Sequence, residues 1–315
     1  MIKFLITGAN GDIAKSICKL IRKNFKDISV DGTDVKISNN KKNLYNKIFK
    51  VPLPKNKTYL RIIKKISRDY QLIIPATENE IIFFSNHLHI FKNKTLINSK
   101  NIIKTFSSKL NTFHFLKKHN FQVPEFCVKL NTIKKYERPF FIKKDFGHGN
   151  KNYKAIISPK KFNSIKKLKK NWIAQEYLDK SYKEYTCGVI RLNNFCDAII
   201  LDRKLKGGYT YFAKKVKNTE IKKSLIHLAK VINLNGCINV QLKYKNNRYA
   251  IFEVNPRISS TVFMRDMLNF KDCVWWINYF INKKIPKQKY KILNKSIIKI
   301  NNEEKFINKK NSIRV

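Results

Sequence analysis

A chain of 315 residues is long enough for two domains, or for one domain built in lobes. Hydrophobic residues make up 43% of it, which excludes global disorder. The formal net charge of +46 fits an anionic partner or a genome bias toward Lys, Asn and Ile. Because lysine is spread along the whole chain, we favour the second explanation and predict no specific nucleic-acid partner.

Cysteine usage and apolar runs indicate a location. No pair of the 6 cysteines has C-x-x-C spacing, which argues against a zinc ribbon or a dithiol redox motif and fits a reducing cytosol. The apolar N-terminal run soon meets Asp12 and is too short for a signal peptide. The most apolar later segment, 273–281, is about half of a membrane span. We therefore predict a cytoplasmic protein without membrane contact.

The first elements of the chain predict a parallel sheet. "IKFLITGANGDIAK" is an apolar strand, a glycine turn and an amphipathic helix, and "LIIPA" is a buried strand followed by a helix from Glu78. "TGANGDIA" (7–14) reads G-x-x-G-x-x-A, a poor match to the dinucleotide-binding motif. An NAD(P)-dependent Rossmann enzyme acting on sugar nucleotides stays open as an alternative function.

Later elements predict antiparallel sheet. A helix within "SSKLNTFHFLKKHNF" is followed, from about residue 126, by short alternating segments bounded by turns. Helices are predicted over 219–234 and 271–283, and "NN" at 246–247 predicts a two-residue hairpin turn because Asn tolerates positive φ. The basic tail is expected to add a strand or to contact a second subunit, so a homodimer is left open.

The hairpin around that turn carries a polar face. Glu253, Asn255 and Arg257 alternate in "RYAIFEVNPRIS" and so project from one side of a strand. On the partner strand, Gln241 is expected beside Glu253 within one residue of register. Such oxygen donors suit Mg²⁺ or Mn²⁺ rather than Zn²⁺, and a plain salt bridge from Glu253 to a lysine is the alternative.

Two further segments have the residues of a nucleotide site. "FFIKKDFGHGNKN" is a strand that ends in Lys143 beside a loop with Gly147 and Gly149, a way to hold phosphates by charge and backbone N–H groups. "WIAQEYLDKSYKEYT" is a strand whose end can contact an adenine through a free edge, and Glu184 beyond it can contact a ribose.

Together these motifs resemble the ATP-grasp superfamily, most nearly its carboxylate–amine ligases related to the large subunit of carbamoyl-phosphate synthase. The resemblance covers residues 1 to about 285 and is most specific in "GCINVQLKYKNNRYAIFEVNPRISST". It implies metal ligands Gln241, Glu253 and Asn255. It implies ATP-binding residues Lys109, Lys143, Gly147, Gly149, Gln175, Glu176, Tyr177, Leu178 and Glu184. It also implies Arg257 and Arg203 as catalytic residues near the phosphoryl group, and Thr77, Glu78 and Ser259 as substrate residues.

The implied fold class is α/β then α+β: an N-terminal Rossmann-like pre-ATP-grasp domain, then a two-lobed ATP-grasp fold with antiparallel sheets. The predicted boundaries are 1–98 for the first domain, 99–178 and 179–286 for the N- and C-terminal lobes, and 287–315 for the basic tail. The sequence departs from the family at Lys144, where proline is usual, and at Ser260, where glycine is common. These departures concern loop geometry more than ATP binding.

The implied activity is ATP-dependent ligation of a small-molecule carboxylate to an amine, through an acyl phosphate, with two Mg²⁺ ions or Mn²⁺. No catalytic base is evident, and His148 on the glycine loop is left open as one. Besides the Rossmann enzyme, a non-catalytic basic protein that binds nucleotides or nucleic acid is the remaining alternative.

Overall fold

The computed structural model describes residues 2–37, 44–127, 139–147, 153–158, 168, 170–286, 290–300 and 303–307. The predicted glycine Gly149 and the candidate base His148 lie outside these residues. Within the described ranges, no helix combines the length and the apolar character that crossing a membrane requires.

A four-stranded parallel sheet begins the chain, in the order β3-β2-β1-β4. Its strands are β1 (Ile2–Thr7), β2 (Ile28–Asp34), β3 (Ile48–Lys50) and β4 (Leu72–Pro75). The helices of this region are α1 (Asp12–Asn24), α2 (Tyr59–Ile66), α3 (Glu78–Asn86) and α4 (Leu88–Phe91), with a 3₁₀ turn at Ser67–Asp69. Side chains of β1 alternate between two cores: Phe4 and Ile6 pack with α1, and Leu5 packs with α2 and α3. The parallel sheet is as predicted, and a Rossmann-like relationship stays a prediction.

Two helices, α5 (Lys100–Phe106) and α6 (Lys109–Lys118), lead into a four-stranded antiparallel sheet. Its strands are β5 (Phe126–Cys127), β6 (Phe140–Lys144), β7 (Tyr153–Ile157) and β8 (Trp172–Glu176), in the order β5-β8-β6-β7. Both helices start at a serine cap: Ser99 accepts from the backbone of Ile102, and Ser108 from that of Asn111.

A seven-stranded antiparallel sheet follows, in the order β13-β12-β9-β10-β11-β14-β15. Its strands are β9 (Lys183–Leu192), β10 (Phe195–Lys206), β11 (Tyr209–Val216), β12 (Gly236–Lys245), β13 (Arg248–Asn255), β14 (Ser296–Ile300) and β15 (Glu303–Phe306). The accompanying helices are α7 (Thr219–Val231), α8 (Val262–Met267) and α9 (Asp272–Asn282). The predicted antiparallel sheets are therefore present.

The β12–β13 hairpin turns where the sequence predicted. Asn246 and Asn247 have φ of 50° and 58°, and Lys245 pairs with Arg248. The pairing then shifts by one residue, so that Leu242 faces Ile251 but Gln241 faces Glu253. Phe252 is thus the extra residue of a β-bulge.

The first sheet and the seven-stranded sheet share one core. A single buried cluster contains Ile17 of α1, Leu192 of β9 and Trp276 of α9. The tail adds β14 to the edge of the large sheet, and Lys299 on that strand forms an ion pair with Asp12 at the start of α1. The parallel sheet and its helices are therefore packed against the seven-stranded sheet, and the predicted domain boundaries stay predictions.

Candidate active site

A small pocket that opens to solvent lies where four elements meet: the start of α3, the α5–α6 junction, the end of β6 and strand β13. It is lined by Glu78, Phe106, Ser107, Lys109, Thr112, Gly147, Phe252, Glu253, Val254 and Asn255. Four of the residues that the sequence assigned to nucleotide or metal binding, namely Lys109, Gly147, Glu253 and Asn255, therefore line one pocket. Glu78, predicted as a substrate residue, lines it as well.

Glu253 is a half-buried acid that lines this pocket. Burial raises its pKa, but the charge of Lys143, a hydrogen bond from Asn255 and the charges of Lys109 and Arg257 together hold that pKa below the ordinary value. The Nδ2 of Asn255 donates to Oε1 of Glu253 over 2.9 Å. The carboxylate is thus ionised, and cations surround it.

Lys143 at the end of β6 is only 9% exposed. Its Nζ lies 5.3 Å from the ring centre of Phe113 in α6. Burial lowers the pKa of Lys143 to about 7; Glu253 and Asp145 oppose that shift, while Lys109 adds to it. A lysine with a pKa near 7 is only partly protonated at neutral pH. An anion that binds beside it would favour the protonated, charged form.

Amide side chains complete the polar face of the hairpin. Oδ1 of Asn255 accepts from Arg257 over 3.1 Å while its Nδ2 donates to Glu253. Oε1 of Gln241 accepts from Nη2 of Arg203 over 2.9 Å. The strand pairing places Gln241 directly opposite Glu253. One ionised carboxylate and two amide oxygens are a donor set that fits Mg²⁺. The Asn255 amide now directs its nitrogen toward Glu253. To bind a Mg²⁺ ion together with Glu253, it has to rotate so that its oxygen lies on that side.

Lys109 holds the described part of the glycine loop. Its Nζ donates to the backbone oxygens of Asp145 over 3.1 Å and Gly147 over 2.8 Å. The Asp145 carboxylate accepts from the hydroxyl of Ser108 (3.0 and 2.9 Å) and from the backbone N–H of Leu110 (2.8 Å). The base of the loop is therefore fixed to the first turn of α6.

The predicted adenine segment differs in one respect from expectation. Strand β8 lies between β5 and β6, not at a free edge. The backbone N–H of Glu176 donates to Glu125, and that of Tyr177 donates to Pro139. Since these two groups are used within the sheet, a backbone N–H for an adenine would have to come from Leu178 or beyond. Gln175, at 7% exposure, is buried.

The predicted ribose acid Glu184 is held by two cations. Its Oε1 accepts from Nε and Nη2 of Arg203 (3.0 and 2.5 Å), and Lys243 lies 3.3 Å from its Oε2. Since Arg203 also reaches Gln241, this arginine connects Glu184 to the polar face of the β12–β13 hairpin.

The three predicted substrate residues have different surroundings. Glu78 lines the pocket, and burial raises its pKa to about 7, with Arg257 and Lys109 opposing and Glu253 adding to the shift. Thr77 caps α3: its hydroxyl accepts from the N–H of Glu80 and donates to the carboxylate of that residue. Ser259 is buried and contacts Arg265 and Thr261.

The N-terminal glycine turn uses its own N–H groups. The N–H of Asn10 donates to Oδ2 of Asp34 over 2.8 Å, and that of Gly11 donates to Gly8. Two backbone N–H groups of the turn are thus already used within the protein and would have to be released to meet a pyrophosphate. This geometry disfavours the NAD(P) alternative.

Sequence reasoning missed two residues of the site. Ser107 lines the pocket, is 8% exposed, and its hydroxyl has no hydrogen-bond partner among the described residues. Asp145, the aspartate within "FFIKKDFGHGNKN", was given no role. The "SSK" preceding α6 is a helix-cap signal, but a cap signal alone says nothing of a pocket.

Solved structures share this architecture along nearly the whole chain. N5-carboxyaminoimidazole synthetase from Staphylococcus aureus, complexed with ADP, superposes with a TM-score of 0.72 at 15% identity, over 95% of this chain and 82% of that one. An L-amino acid ligase from Bacillus licheniformis gives 0.70 at 12% identity, over 94% and 79%. The biotin carboxylase domain of the Hydrogenobacter thermophilus 2-oxoglutarate carboxylase, complexed with MgADP and bicarbonate, gives 0.72 at 13%, over 95% and 74%.

These superpositions show that the chain shares the fold of these solved structures, and the family match below agrees with the resemblance that its motifs predicted. More particularly, residues 169–306 match the family described as ATP-grasp in the biosynthetic pathway with Ter operon, which is somewhat less than half of the chain. No curated protein sequence matches it.

Proposed function

We propose that this chain is an ATP-dependent ligase that joins a small-molecule carboxylate to an amine or similar nucleophile, with release of ADP and phosphate. The observation that carries the proposal is the group of three cations, Lys143, Lys109 and Arg257, whose charges act on the ionised carboxylate of Glu253. Within an ATP-grasp fold, such a pocket suits a triphosphate and its metal.

Charge neutralisation is the main contribution of the protein to this chemistry. Phosphoryl transfer needs positioning and compensation of charge more than covalent participation by side chains. Lys143 and Lys109 would compensate the negative charge of the phosphates. Arg257 would compensate the charge of the phosphoryl group during its transfer. Because Lys109 donates to the glycine loop here, it has to exchange those carbonyls for phosphate oxygens when ATP binds.

Glu253, Asn255 and Gln241 are the residues that would hold magnesium. Two ions are proposed, as the family resemblance implies, and Mn²⁺ would be accepted by the same oxygens. A bound ion would screen the phosphate charges. Arg203 would keep Gln241 in place through the hydrogen bond to its amide oxygen.

The reaction consists of two transfers. A substrate carboxylate attacks the γ-phosphorus of ATP, which yields an acyl phosphate and ADP, and the amine then displaces phosphate to yield an amide. The glycine loop next to Lys143 would cover the pocket and exclude water, which protects the acyl phosphate from hydrolysis. Glu78 and Ser107 line the same pocket and are available to the substrates.

Structural relatives support this reaction class, since one is an L-amino acid ligase and another binds ADP. Small molecules are therefore the proposed partners. The cytoplasmic location, the predicted division of the chain at residues 98, 178 and 286, and a homodimer belong to the same proposal. Sedimentation of the purified protein would test the homodimer.

ADP formation in a small-molecule cell extract tests the proposal directly. With Mg²⁺ present we expect ADP, phosphate and a new product whose mass equals two extract metabolites less one water. Chelation of Mg²⁺ should abolish all three. ADP formation that is equal with and without extract, with no new mass, would show an ATPase instead and contradict the ligase assignment.

A further inference from the structure

We propose that Arg265 is a positioning residue for the loop 256–261, and that it thereby fixes Arg257 and Asn255 in the site. The inference rests on the proposed function, because it assigns a task to a residue outside the pocket through the loop that carries the phosphate-facing arginine. Arg265 lies in helix α8, directly after this loop.

The Arg265 guanidinium uses its donors in two directions. Toward α9, it meets Oδ2 of Asp272 through Nε at 3.0 Å and Nη2 at 2.7 Å. Toward the loop, Nη1 donates to the hydroxyls of Ser259 over 2.6 Å and Thr261 over 2.7 Å. Those two hydroxyls lie 2.8 Å from each other. One charged group thus holds two of the three hydroxyls of the loop, those of Ser259 and Thr261.

Burial makes this contact rigid. Arg265 and Asp272 are each 1% exposed, and Ser259 is 6% exposed. A buried ion pair is usually no more stabilising than apolar side chains of the same volume, because desolvation offsets the attraction. Stability alone is therefore a weak reason for an arginine here, and fixing one geometry of the loop is a better one.

Strand β9 leaves room for the guanidinium. A Cβ at Gly188 would lie 2.6 Å from Nε of Arg265, so a side chain at this position would displace the arginine. Gly188 pairs with Asn239, and Asn239 pairs with Asn255. The arginine therefore packs against the same rung of the sheet that carries a proposed metal ligand.

The loop transmits this position to the site over few residues. The N–H of Arg257 donates to the carbonyl of Asn255 over 2.8 Å, and Nη1 of Arg257 donates to the carbonyl of Ile258 over 3.2 Å. Ser259, held by Arg265, follows immediately. A shift of Ser259 and Thr261 therefore moves the backbone that supports Arg257.

The test removes the two hydroxyls and leaves the buried ion pair in place. The double variant Ser259→Ala/Thr261→Val is compared with wild type, with Thr261→Ser, which keeps the hydroxyl, and with Asp266→Asn. Asp266 is also buried in α8, but it contacts Lys23 and Asn24 rather than the loop. Calorimetry measures the dissociation constant of Mg·ADP, and melting without nucleotide measures stability.

We expect the double variant to bind Mg·ADP about 10-fold or more weakly, as outer-shell partners of metal sites do when removed. Thr261→Ser should bind nearly as wild type does. Asp266→Asn should melt earlier and bind unchanged. Equal affinity in the double variant and wild type overturns the inference. It is also overturned if every variant, Asp266→Asn included, loses affinity in proportion to its decrease in melting temperature. A wild type that binds no Mg·ADP overturns the proposed function instead, and the inference with it.

Discussion

Gln241 lies directly opposite Glu253 because Phe252 is an extra residue in strand β13. In a regular ladder counted from the Lys245–Arg248 pair, Gln241 would face Phe252. Glu253 would then point into the apolar core that contains Val240 and Leu242. The bulge turns it to the other face, next to the cations of the pocket. One inserted residue thus decides whether this hairpin has a carboxylate in the site.

Replacement of Glu253 by glutamine should lower kcat about 10²–10³-fold, comparable to losing a key electrostatic contact. The amide is nearly the same size but cannot carry the charge that Lys143 and Arg257 face. ADP release measured at saturating ATP tests this. Glu303→Gln, on exposed β15, is the matched control and should leave the rate unchanged. Wild-type turnover in the Glu253 variant would refute the metal assignment.

The affinity for ATP should decrease as the pH rises above 7, at most about tenfold per pH unit. The pKa of Lys143 is about 7, so above that pH the free protein holds a neutral amine and has to take up a proton to meet the phosphates. Below pH 7 the amine is already charged and the affinity should be flat.

Lys143→Arg tests this pH dependence, since arginine stays charged throughout. Calorimetry at pH 8 in two buffers of different ionisation enthalpy measures the proton uptake, which should decrease in the variant by the part that Lys143 contributes. Glu78, whose pKa is also about 7, works in the same direction, so Glu78→Gln is the companion control. Unchanged proton uptake in the arginine variant would assign the titration to another group.

Asp145→Asn should loosen the glycine loop and weaken ATP binding. The amide keeps one oxygen that can accept from Ser108 and Leu110, but it loses the negative charge that strengthens both hydrogen bonds, at a cost of about 1 kcal/mol for each. Urea unfolding and ATP titration measure the two effects. Asp69→Asn, on an exposed turn, is the control. ATP affinity equal to that of wild type would mean that the loop does not depend on this anchor.

Gly8→Ala should destabilise the protein by about 1–2 kcal/mol or more, whereas Gly11→Ala should change it by less than about 1 kcal/mol. Gly8 has a φ of +65°, and a Cβ there would lie 2.5 Å from Cγ2 of Thr77. Gly11 has a φ of −70°, and its nearest contact would be 3.1 Å away. Denaturant unfolding of both variants compares them directly. Equal stabilities would show that the turn can relax.

Local patterns predicted the elements better than their contacts. Asn246 and Asn247 identified the hairpin turn, because asparagine tolerates positive φ, and the alternation of Glu253 and Asn255 identified the polar face. The bulge at Phe252 could not be foreseen, because a phenylalanine suits any strand position. Strand β2 was missed, since Asp31 and Gly32 interrupt its apolar character.

Contacts between residues far apart in the chain could not be predicted from the sequence, for a different reason. Asp145 looked like a loop residue because its partner Ser108 precedes it by 37 positions, and only the packing of α6 on β6 brings them together. The free edge expected for β8 was wrong because Phe126 and Cys127 form a short strand beside it. Pairing of this kind depends on tertiary packing, which periodicity does not encode.

The contact between β14 and α1 has a consequence for biosynthesis. Lys299 and Asp12 are separated by 287 positions, and Lys19 and Glu304, 2.8 Å apart, by 285. During translation, α1 is therefore synthesised long before β14 and β15, the strands whose Lys299 and Glu304 pair with Asp12 and Lys19. The parallel sheet and helix α1 at the start of the chain are therefore incomplete for most of translation and acquire their last contacts only when the β14–β15 hairpin has left the exit tunnel.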